Sequence, residues 1–317
     1  MLEPDWKHAA KRHSASTLHR NPPWNHRKSV KKIRVAAISF LNPAPLLFDF
    51  EHAPQQQLLA ERYDVHYTLP SLCAEQLRTA ESDLGLVPIA SLPTLPGVVT
   101  IPGCTIASLD KVRSIQLVVS PGLTLEDVRT VAADAASRSS AAYVRILLDH
   151  FYGCQPVFHE QQADLEAMLA TSDAALLIGD PALLALDHPH LRQQFSNCTW
   201  IDVAQLWQKH TQLPWVAAVW AVRRLALEET GISAATLIAD LEHSRDAGMA
   251  HMDTIVREWS QRLPLSEHII ETYLTENIHY TLDETCLRAI ERFFALAEAT
   301  HTLPPYSFPL LDPHNGR

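Results

Sequence analysis

The chain is poor in glycine, and the glycines that it has are widely spaced. There are nine glycines in 317 residues, and the closest two, Gly97 and Gly103, are six positions apart. This spacing excludes the G-x-G-x-x-G dinucleotide fingerprint, the Walker phosphate loop and the G-x-S-x-G nucleophile elbow, which all need closer glycines. The commonest nucleotide-binding and serine-hydrolase motifs are therefore absent from this sequence.

The sequence also lacks cysteines or histidines at the spacing of a metal site. Its five cysteines, at positions 73, 104, 154, 198 and 286, lie at least 31 residues apart. They form neither a C-x-x-C site nor a disulfide framework, which favours a reducing compartment. His159 and Glu160 begin like a zinc-protease helix, but Ala163 occupies the position of the second ligand. We therefore expect no metal, no other cofactor and a cytoplasmic location.

No apolar run is long enough to span a membrane. The longest, Trp215 to Val222, has eight residues, against the ~20 that a spanning helix needs. The net charge is -10, but residues 1–32 hold eight basic and two acidic residues, which leaves about -16 on the rest of the chain. This excess of negative charge on residues 33–317 disfavours nucleic-acid binding. We interpret residues 1–32 as a disordered basic extension, since they lack the apolar core of a signal peptide.

From residue 33 onwards, short β-branched runs alternate with amphipathic segments, which is the pattern of an α/β fold. The pattern predicts strands over 33–39, 63–69, 84–89, 104–108, 114–120, 130–134, 174–178 and 215–223. It predicts helices over 71–80, capped by Ser71, and over 141–152. From Ser233 to about Thr300 it predicts helices only, which begin at Ser233, Ser266 and Asp283.

This order of elements predicts two α/β lobes, with a ligand cleft between them at the strand ends. The first lobe comprises residues 33–111 and 224–317, and ends in a helical C-terminal segment. The second lobe comprises residues 112–223. The architecture resembles the two-lobed type II periplasmic-binding-protein fold.

Two segments that follow predicted strands could bind a ligand. Pro43 disfavours helical geometry at Asn42, so that the Asn42 amide could project from the end of the first strand, or it could cap the next helix. Ser137, Arg138, Ser139 and Ser140 lie between a strand and a helix. Their hydroxyls, the free helix amides and the guanidinium suit a carboxylate or phosphate. The alternative is simple capping by Ser137 or Ser139, with Arg138 in solvent.

Two further segments are candidates for ligand contacts. Gly179 permits a close approach of a ligand after a buried strand, while Asp180 most simply caps the helix that Pro181 opens. Trp215, with Trp220 in the same apolar strand, could present an aromatic wall to a ring-shaped ligand, although such tryptophans usually belong to a core.

These segments occur in this order together with Gly103 to Ser108 and Val112-Arg113-Ser114, and jointly they resemble the chorismate dehydratase family of the futalosine route to menaquinone. The resemblance covers approximately Ile33 to Arg223. It implies a cofactor-free cytoplasmic lyase that converts chorismate to 3-[(1-carboxyvinyl)oxy]benzoate and water. It also implies that Asn42 and Ser114 are catalytic. The family's serine-rich substrate segment falls on residues 137–140, with Ala136 and Ser139 departing from its usual pattern.

We assign substrate binding to seven residues: Ser137, Arg138, Ser139, Ser140, Gly179, Asp180 and Trp215. None of the motifs offers an obvious His or Glu base. We therefore expect the enolpyruvyl carboxylate of chorismate to take the proton, oriented by Asn42 and Ser114. The alternatives are 1,4-dihydroxy-6-naphthoate synthase of the same pathway and a non-catalytic cytoplasmic solute-binding or sensor protein. The expected partner is a small molecule, not a nucleic acid or a membrane.

Overall fold

A computed structural model describes residues 31–313 of the chain. The predicted basic extension, residues 1–32, lies outside the described residues except for Lys31 and Lys32. Within 31–313 the chain forms two mixed β-sheets with helices around them, which confirms the predicted α/β class and its two-lobed architecture. None of the described helices is both long enough and apolar enough to cross a membrane.

The strands follow in chain order. They are β1 (Ile33–Ile38), β2 (Tyr63–Thr68), β3 (Leu84–Pro88), β4 (Val98–Ser108), β5 (Ile115–Val119), β6 (Thr130–Asp134), β7 (Val157–Gln161), β8 (Ala174–Ile178), β9 (Thr199–Asp202), β10 (Trp215–Arg223) and β11 (His279–Leu282). The six-stranded sheet has the spatial order β11-β4-β10-β3-β1-β2, and the five-stranded sheet has the order β7-β6-β8-β5-β9. The buried apolar runs of β3, β5 and β8 are typical of strands covered on both faces.

The α-helices connect these strands. They are α1 (Phe48–Glu51), α2 (Gln55–Leu59), α3 (Pro70–Arg78), α4 (Ser139–Ile146), α5 (Leu165–Leu169), α6 (Gly179–Asp187), α7 (Pro189–Gln194), α8 (Val203–Thr211), α9 (Arg224–Thr230), α10 (Ala234–Ala250), α11 (Met252–Ser260), α12 (Glu267–Thr272) and α13 (Glu284–Ala299). Three begin at the predicted caps, because the side chains of Ser233, Ser266 and Asp283 each accept a hydrogen bond from a backbone N–H three residues later.

Two predictions about secondary structure were wrong, and the start of one confirmed helix was placed two residues too late. The predicted cap Ser71 lies inside α3, because the helix begins one residue earlier at Pro70, whose ring favours the first helical position. The predicted helix over 141–152 begins at Ser139 and passes into a π-helical turn over Leu147–Phe151. The helical C-terminal segment contains the four-residue strand β11, which pairs with β4.

The position of β10 differs from the lobe boundaries expected from the sequence. The sequence pattern predicts residues 215–223 in the second lobe, but β10 pairs with β3 and β4 of the six-stranded sheet. Its apolar run indicates a strand, whereas only these hydrogen bonds determine its sheet. We therefore propose lobes of 33–111 plus 215–313 and of 112–214. Residues 109–114, between β4 and β5, and residues 212–214, between α8 and β10, then join the lobes.

Helix α13 packs against elements of both lobes. Its Phe293 is fully buried, and its ring centroid lies 4.5 Å from that of Tyr143 on α4. Tyr143 also contacts Trp207 of α8 and Trp215 of β10, at centroid distances of 4.8 and 5.6 Å. This aromatic cluster forms one continuous core behind the strand ends where the predicted site lies.

Candidate active site

A cavity between the two sheets brings together most of the residues that the sequence singled out. Seven of them line it: Asn42, Ser114, Arg138, Ser139, Ser140, Gly179 and Trp215. The open volume within the cavity is about 50 Å³. Among its described lining residues, only Arg138 carries an ionisable side chain. The interior is therefore a small, nearly uncharged space with a guanidinium on its wall.

Asn42 lies in the turn after β1, and its amide is not used to hold the fold. The next helical turn, a 3₁₀ turn over Ala44–Leu47, begins after Pro43 without a side-chain cap. The alternative that Asn42 caps a helix therefore does not hold. Its Oδ1 atom is buried and has no hydrogen-bond partner among the described residues. A buried acceptor without a partner is costly unless a ligand or water satisfies it.

The backbone around Ser114 is held by residues distant in the sequence. Arg113 has a φ of +60°, an uncommon conformation for a residue with a Cβ. The Asp202 carboxylate accepts hydrogen bonds from the Arg113 and Val112 N–H groups at 2.6 and 3.1 Å. The Gly179 N–H donates to the Ser114 carbonyl at 2.8 Å. These bonds fix the Ser114 side chain at the cavity wall.

Two residues that support Ser114 were missed by the sequence analysis. Asp202 is the N-cap of α8. Apart from being a residue type that favours helix caps, it carries no sign in the sequence of a contact with the backbone before Ser114. Burial raises the Asp202 pKa, although backbone N–H donors oppose that shift. Tyr273, 159 residues after Ser114, donates its hydroxyl hydrogen to Ser114 Oγ at 2.8 Å. A single buried tyrosine in a helical segment carries no sequence signal of such a role.

The serine-rich segment forms the N-terminus of α4. Ser137 Oγ accepts a hydrogen bond from the Ala141 N–H at 3.1 Å, so Ser137 acts as a cap and does not line the cavity. Ser139 Oγ donates to the Ala217 carbonyl of β10 at 2.7 Å. Ser139 and Ser140 line the cavity at the first turn of α4, where helix N–H groups lack intrahelical acceptors. This helix start suits a carboxylate.

Arg138 lies at the edge of the cavity. Its side chain is 44% exposed, and its Nη1 atom lies 2.6 Å from Glu160 Oε1 on β7. The prediction of a guanidinium in solvent is therefore incomplete, since Arg138 is ion-paired. An anionic ligand would compete with Glu160 for this guanidinium, at a site where solvent weakens the ion pair.

Gly179 allows the two lobes to approach closely. It begins α6 with a φ of +62°, and a Cβ at this position would lie 2.5 Å from the Phe40 ring. Asp180 does not cap α6, contrary to the prediction, because its Oδ1 accepts the Leu41 N–H of the other lobe at 3.0 Å. Burial raises the Asp180 pKa to about 6, although the Leu41 N–H opposes that shift. Asp180 therefore holds the loop that carries Asn42.

Trp215 belongs to both the core and the cavity wall. It is 1% exposed, and its Nε1 atom has no hydrogen-bond partner among the described residues. Its ring packs on Tyr143 and lines the cavity. The two alternatives, core residue and ligand wall, are thus both compatible with its position.

Two other features outside this cavity could hold ligands. A larger cavity, of about 620 Å³, shares Phe40 with the first one and contains the ion pair between His52 and Glu258. In the described part of the chain, one group has the composition of a metal site: His279, Asp283 and Cys286, with ligand atoms within 4.8 Å. Asp283 already caps α13 through the Cys286 N–H at 2.8 Å and contacts His279 at 3.2 Å. These contacts account for the group without a metal.

Comparison with known proteins identifies the family of this chain. A family described as menaquinone biosynthesis matches residues 33–299 of this chain. A curated relative, the chorismate dehydratase of Thermus thermophilus, is 30% identical over 193 residues, which make up 58% of this chain and 68% of that protein. The range that the family matches contains Asn42, Ser114 and residues 137–140.

Solved structures share the fold. The alkanesulfonate-binding protein SsuA from Xanthomonas axonopodis pv. citri, bound to MOPS, has a TM-score of 0.63 at 15% identity, over 86% of this chain and 94% of that one. A Candida albicans protein with the generic periplasmic binding protein fold has a TM-score of 0.61 at 14% identity, over 87% and 92%. At these identities the likeness concerns the fold alone.

Proposed function

The chain belongs to the menaquinone biosynthesis family, and we propose that it is a chorismate dehydratase, a lyase that converts chorismate to 3-[(1-carboxyvinyl)oxy]benzoate and water. The observation that carries the proposal is the position of Asn42, Ser114 and the α4 helix start on one cavity between the lobes. A cavity at strand ends between two lobes is where ligands of this fold class bind.

The charges at the cavity fit a substrate with two carboxylates. Arg138 supplies a guanidinium, and the N-terminus of α4 supplies the N–H groups of Ser139 and Ser140. Guanidinium groups and helix N-termini both stabilise carboxylates. Charge that develops on the ring carboxylate during proton loss would be stabilised at the same place.

The cavity supports a mechanism in which the substrate provides its own base. The ring carbon that bears the enolpyruvyl ether loses a proton, and its neighbour loses hydroxide, so that water and an aromatic ring result. No described lining residue is a His, Glu, Asp or Lys. We therefore keep the enolpyruvyl carboxylate as the proton acceptor, with Asn42 and Ser114 orienting it.

Two buried polar atoms at the cavity are available to the substrate. Asn42 Oδ1 is an acceptor and Trp215 Nε1 is a donor, and both lack partners among residues 31–313. The chorismate hydroxyl could donate to Asn42 Oδ1, and a carboxylate could accept from Trp215 Nε1. Hydrogen bonds of this kind remove the cost of leaving buried polar groups unpaired.

The lobes must separate to admit the substrate. The open volume of about 50 Å³ is far less than the roughly 300 Å³ at the lower end of ligand pockets. The two connections, residues 109–114 and 212–214, are the segments about which the lobes would move. Closure would then exclude water from the reacting groups.

The direct test is incubation of the purified full chain with chorismate. We expect an aromatic product one water lighter than chorismate, detected by absorbance and mass spectrometry, with no added cofactor. Tight retention of unaltered chorismate would contradict the lyase and support a binding or sensor protein. Conversion of a futalosine-derived substrate with inert chorismate would instead support 1,4-dihydroxy-6-naphthoate synthase.

We propose a cytoplasmic location for this activity. All five cysteines are free thiols, and four of them are buried. Unpaired buried thiols are typical of a reducing compartment, which supports this location. Fractionation of cells that express the full chain, followed by the chorismate assay on each fraction, tests it.

A further inference from the structure

The Ser114 hydroxyl receives a hydrogen bond that no sequence motif indicated. The Tyr273 hydroxyl donates to Ser114 Oγ at 2.8 Å, and each of the two residues is 1% exposed. Ser114 precedes β5, whereas Tyr273 begins a π-helical turn over Tyr273–Asn277 that follows α12. The bond therefore joins the C-terminal helical segment to the wall of the cavity.

We infer that Tyr273 is a positioning residue that directs the Ser114 hydroxyl hydrogen toward the substrate. A serine hydroxyl has one hydrogen to donate and two lone pairs that accept. Because Tyr273 donates to one lone pair, the Ser114 hydrogen points elsewhere. In the described part of the chain, Ser114 Oγ has no second hydrogen-bond partner. The inference rests on the proposed function, in which Ser114 contacts chorismate.

The surroundings of Tyr273 favour its protonated form, which donates a hydrogen bond. Burial raises the Tyr273 pKa far above its usual range, the hydrogen bond with Ser114 opposes this shift, and the nearby carboxylates of Asp180 and Asp202 add to it. With its hydrogen directed at Ser114 Oγ, Tyr273 acts as a hydrogen-bond donor to Ser114 and not as a base that would activate it as a nucleophile. No proton transfer through Tyr273 enters the mechanism.

The core holds Tyr273 in place. Ile270 on α12 and Leu274 in the π-helical turn are fully buried on either side of it. Single π-helical turns inside helices frequently occur at functional sites, because the extra residue changes the direction of a side chain. Here the wide turn begins at the residue that contacts Ser114.

The test compares Tyr273→Phe with a matched control, Tyr280→Phe. Tyr280 is 4% exposed, its hydroxyl has no partner in the described part of the chain, and it does not line the cavity. We expect Tyr273→Phe to lower kcat about 10-fold and to leave the chorismate Kd within about threefold. The variant loses the orientation of the Ser114 hydroxyl but keeps the groups that bind the substrate. We expect Tyr280→Phe to turn over chorismate like the wild type.

A double variant shows whether Tyr273 acts through Ser114. Tyr273→Phe should lower kcat no further in a Ser114→Ala background, because the hydroxyl that it orients is already gone. Incorporation of 4-aminophenylalanine at position 273, which replaces the hydroxyl by an amine donor, should restore part of the lost kcat. A purely structural role of the ring would give no such rescue.

Turnover is normalised to the number of chorismate sites found by calorimetric titration, so that a partly unfolded preparation does not imitate a catalytic loss. An unchanged kcat in Tyr273→Phe overturns the inference, as does an equal loss in the presence and absence of Ser114. Both results leave the proposed function intact, because the wild type still converts chorismate. A wild type that does not convert chorismate contradicts the proposed function and removes the inference with it.

Discussion

The inner wall of the cavity and its outer edge are built differently. At the inner wall, Ser114 is 1% exposed and is fixed by bonds to Asp202, Gly179 and Tyr273. At the edge, the Arg138 side chain is 44% exposed, and Glu160 is its one ion-pair partner among the described residues. The inner wall offers neutral dipoles held by several hydrogen bonds, and the edge offers a charge that is partly exposed to solvent. Rigid dipoles suit stabilisation of a transition state, whereas an exposed charge suits capture of an anion.

The largest expected effect is at the inner wall. Ser114→Ala and Asn42→Ala should each lower kcat on the order of 10²-fold, because each removes a hydrogen bond that orients the reacting groups. Both variants should still bind chorismate by calorimetric titration, since the cationic edge is intact. A stopped assay with chorismate and thermal unfolding measure the two properties.

The matched control is Ser108→Ala. Ser108 is a buried serine whose Oγ has no partner within residues 31–313 and which does not line the cavity. Its variant should turn over chorismate normally. If Ser114→Ala or Asn42→Ala matches Ser108→Ala in kcat, the catalytic role of that residue is wrong; if either fails to unfold cooperatively, its role is in the fold.

A smaller effect is expected at the edge. Arg138→Lys should raise KM about 5- to 10-fold with little change in kcat, because an ammonium does not reproduce a bidentate guanidinium contact. Glu160→Gln should lower KM about twofold, since it frees the guanidinium. Initial rates over a range of chorismate concentrations measure both.

Arg192→Lys is the control for that prediction. Arg192 lies over the Trp200 ring, 4.4 Å from its centroid, and does not line the cavity. Its variant should keep the wild-type KM. A kcat loss in Arg138→Lys with unchanged KM would abolish the distinction between the inner wall and the edge.

The third prediction concerns the stability of the inner wall. Burial raises the pKa of Asp180 to about 6, because it disfavours the charged form. An unfolded Asp has a pKa near 4, so the folded state binds the extra proton and stability falls as pH rises from about 4 to 6. Asp180→Asn keeps an acceptor for the Leu41 N–H without a buried charge. It should stabilise the protein by about 1–3 kcal/mol at pH 8 and by little near pH 4.

Thermal unfolding of both proteins across this pH range is the measurement, with chorismate turnover beside it. Asp180→Asn should keep kcat within about threefold, because the substrate carboxylate takes the proton. A large loss of kcat in a folded Asp180→Asn variant would make Asp180 the base and would refute a base supplied by the substrate. An equal gain in stability at both pH values would remove the role of its charge.

The smallest expected effect is that of a chelator. Incubation with an excess of EDTA, followed by dialysis, should leave turnover unchanged, because the inner wall acts through neutral dipoles. His279→Ala is the companion variant, since His279 belongs to the metal-like group with Asp283 and Cys286. The prediction would be wrong if EDTA abolished turnover, a divalent metal restored it, and the His279→Ala variant was also inactive. That result would show that this group and not the cavity alone supports the reaction.

Local features of the sequence predicted the elements that present the site. Strands β1, β3, β6, β8 and β10 lie within a residue of their predicted limits. Residues 33–38, for example, combine Ile33, Val35 and Ile38 with no helix-forming period. The starts at Ser233, Ser266 and Asp283 followed from capping, which needs only three neighbouring residues. The motifs at Asn42 and residues 137–140 were visible because they follow strands, whereas Ser114 was indicated only by the resemblance to a family.

The tertiary structure alone decided how these elements serve the site. It placed β10 in the first sheet, paired the four-residue β11 with β4, and directed Asp180 to Leu41, 139 residues away, instead of to its own helix. It also brought Tyr273 to Ser114. Periodicity and capping depend on near neighbours and can be read along the chain, whereas these hydrogen bonds join groups that are distant in the sequence and meet only in the folded chain.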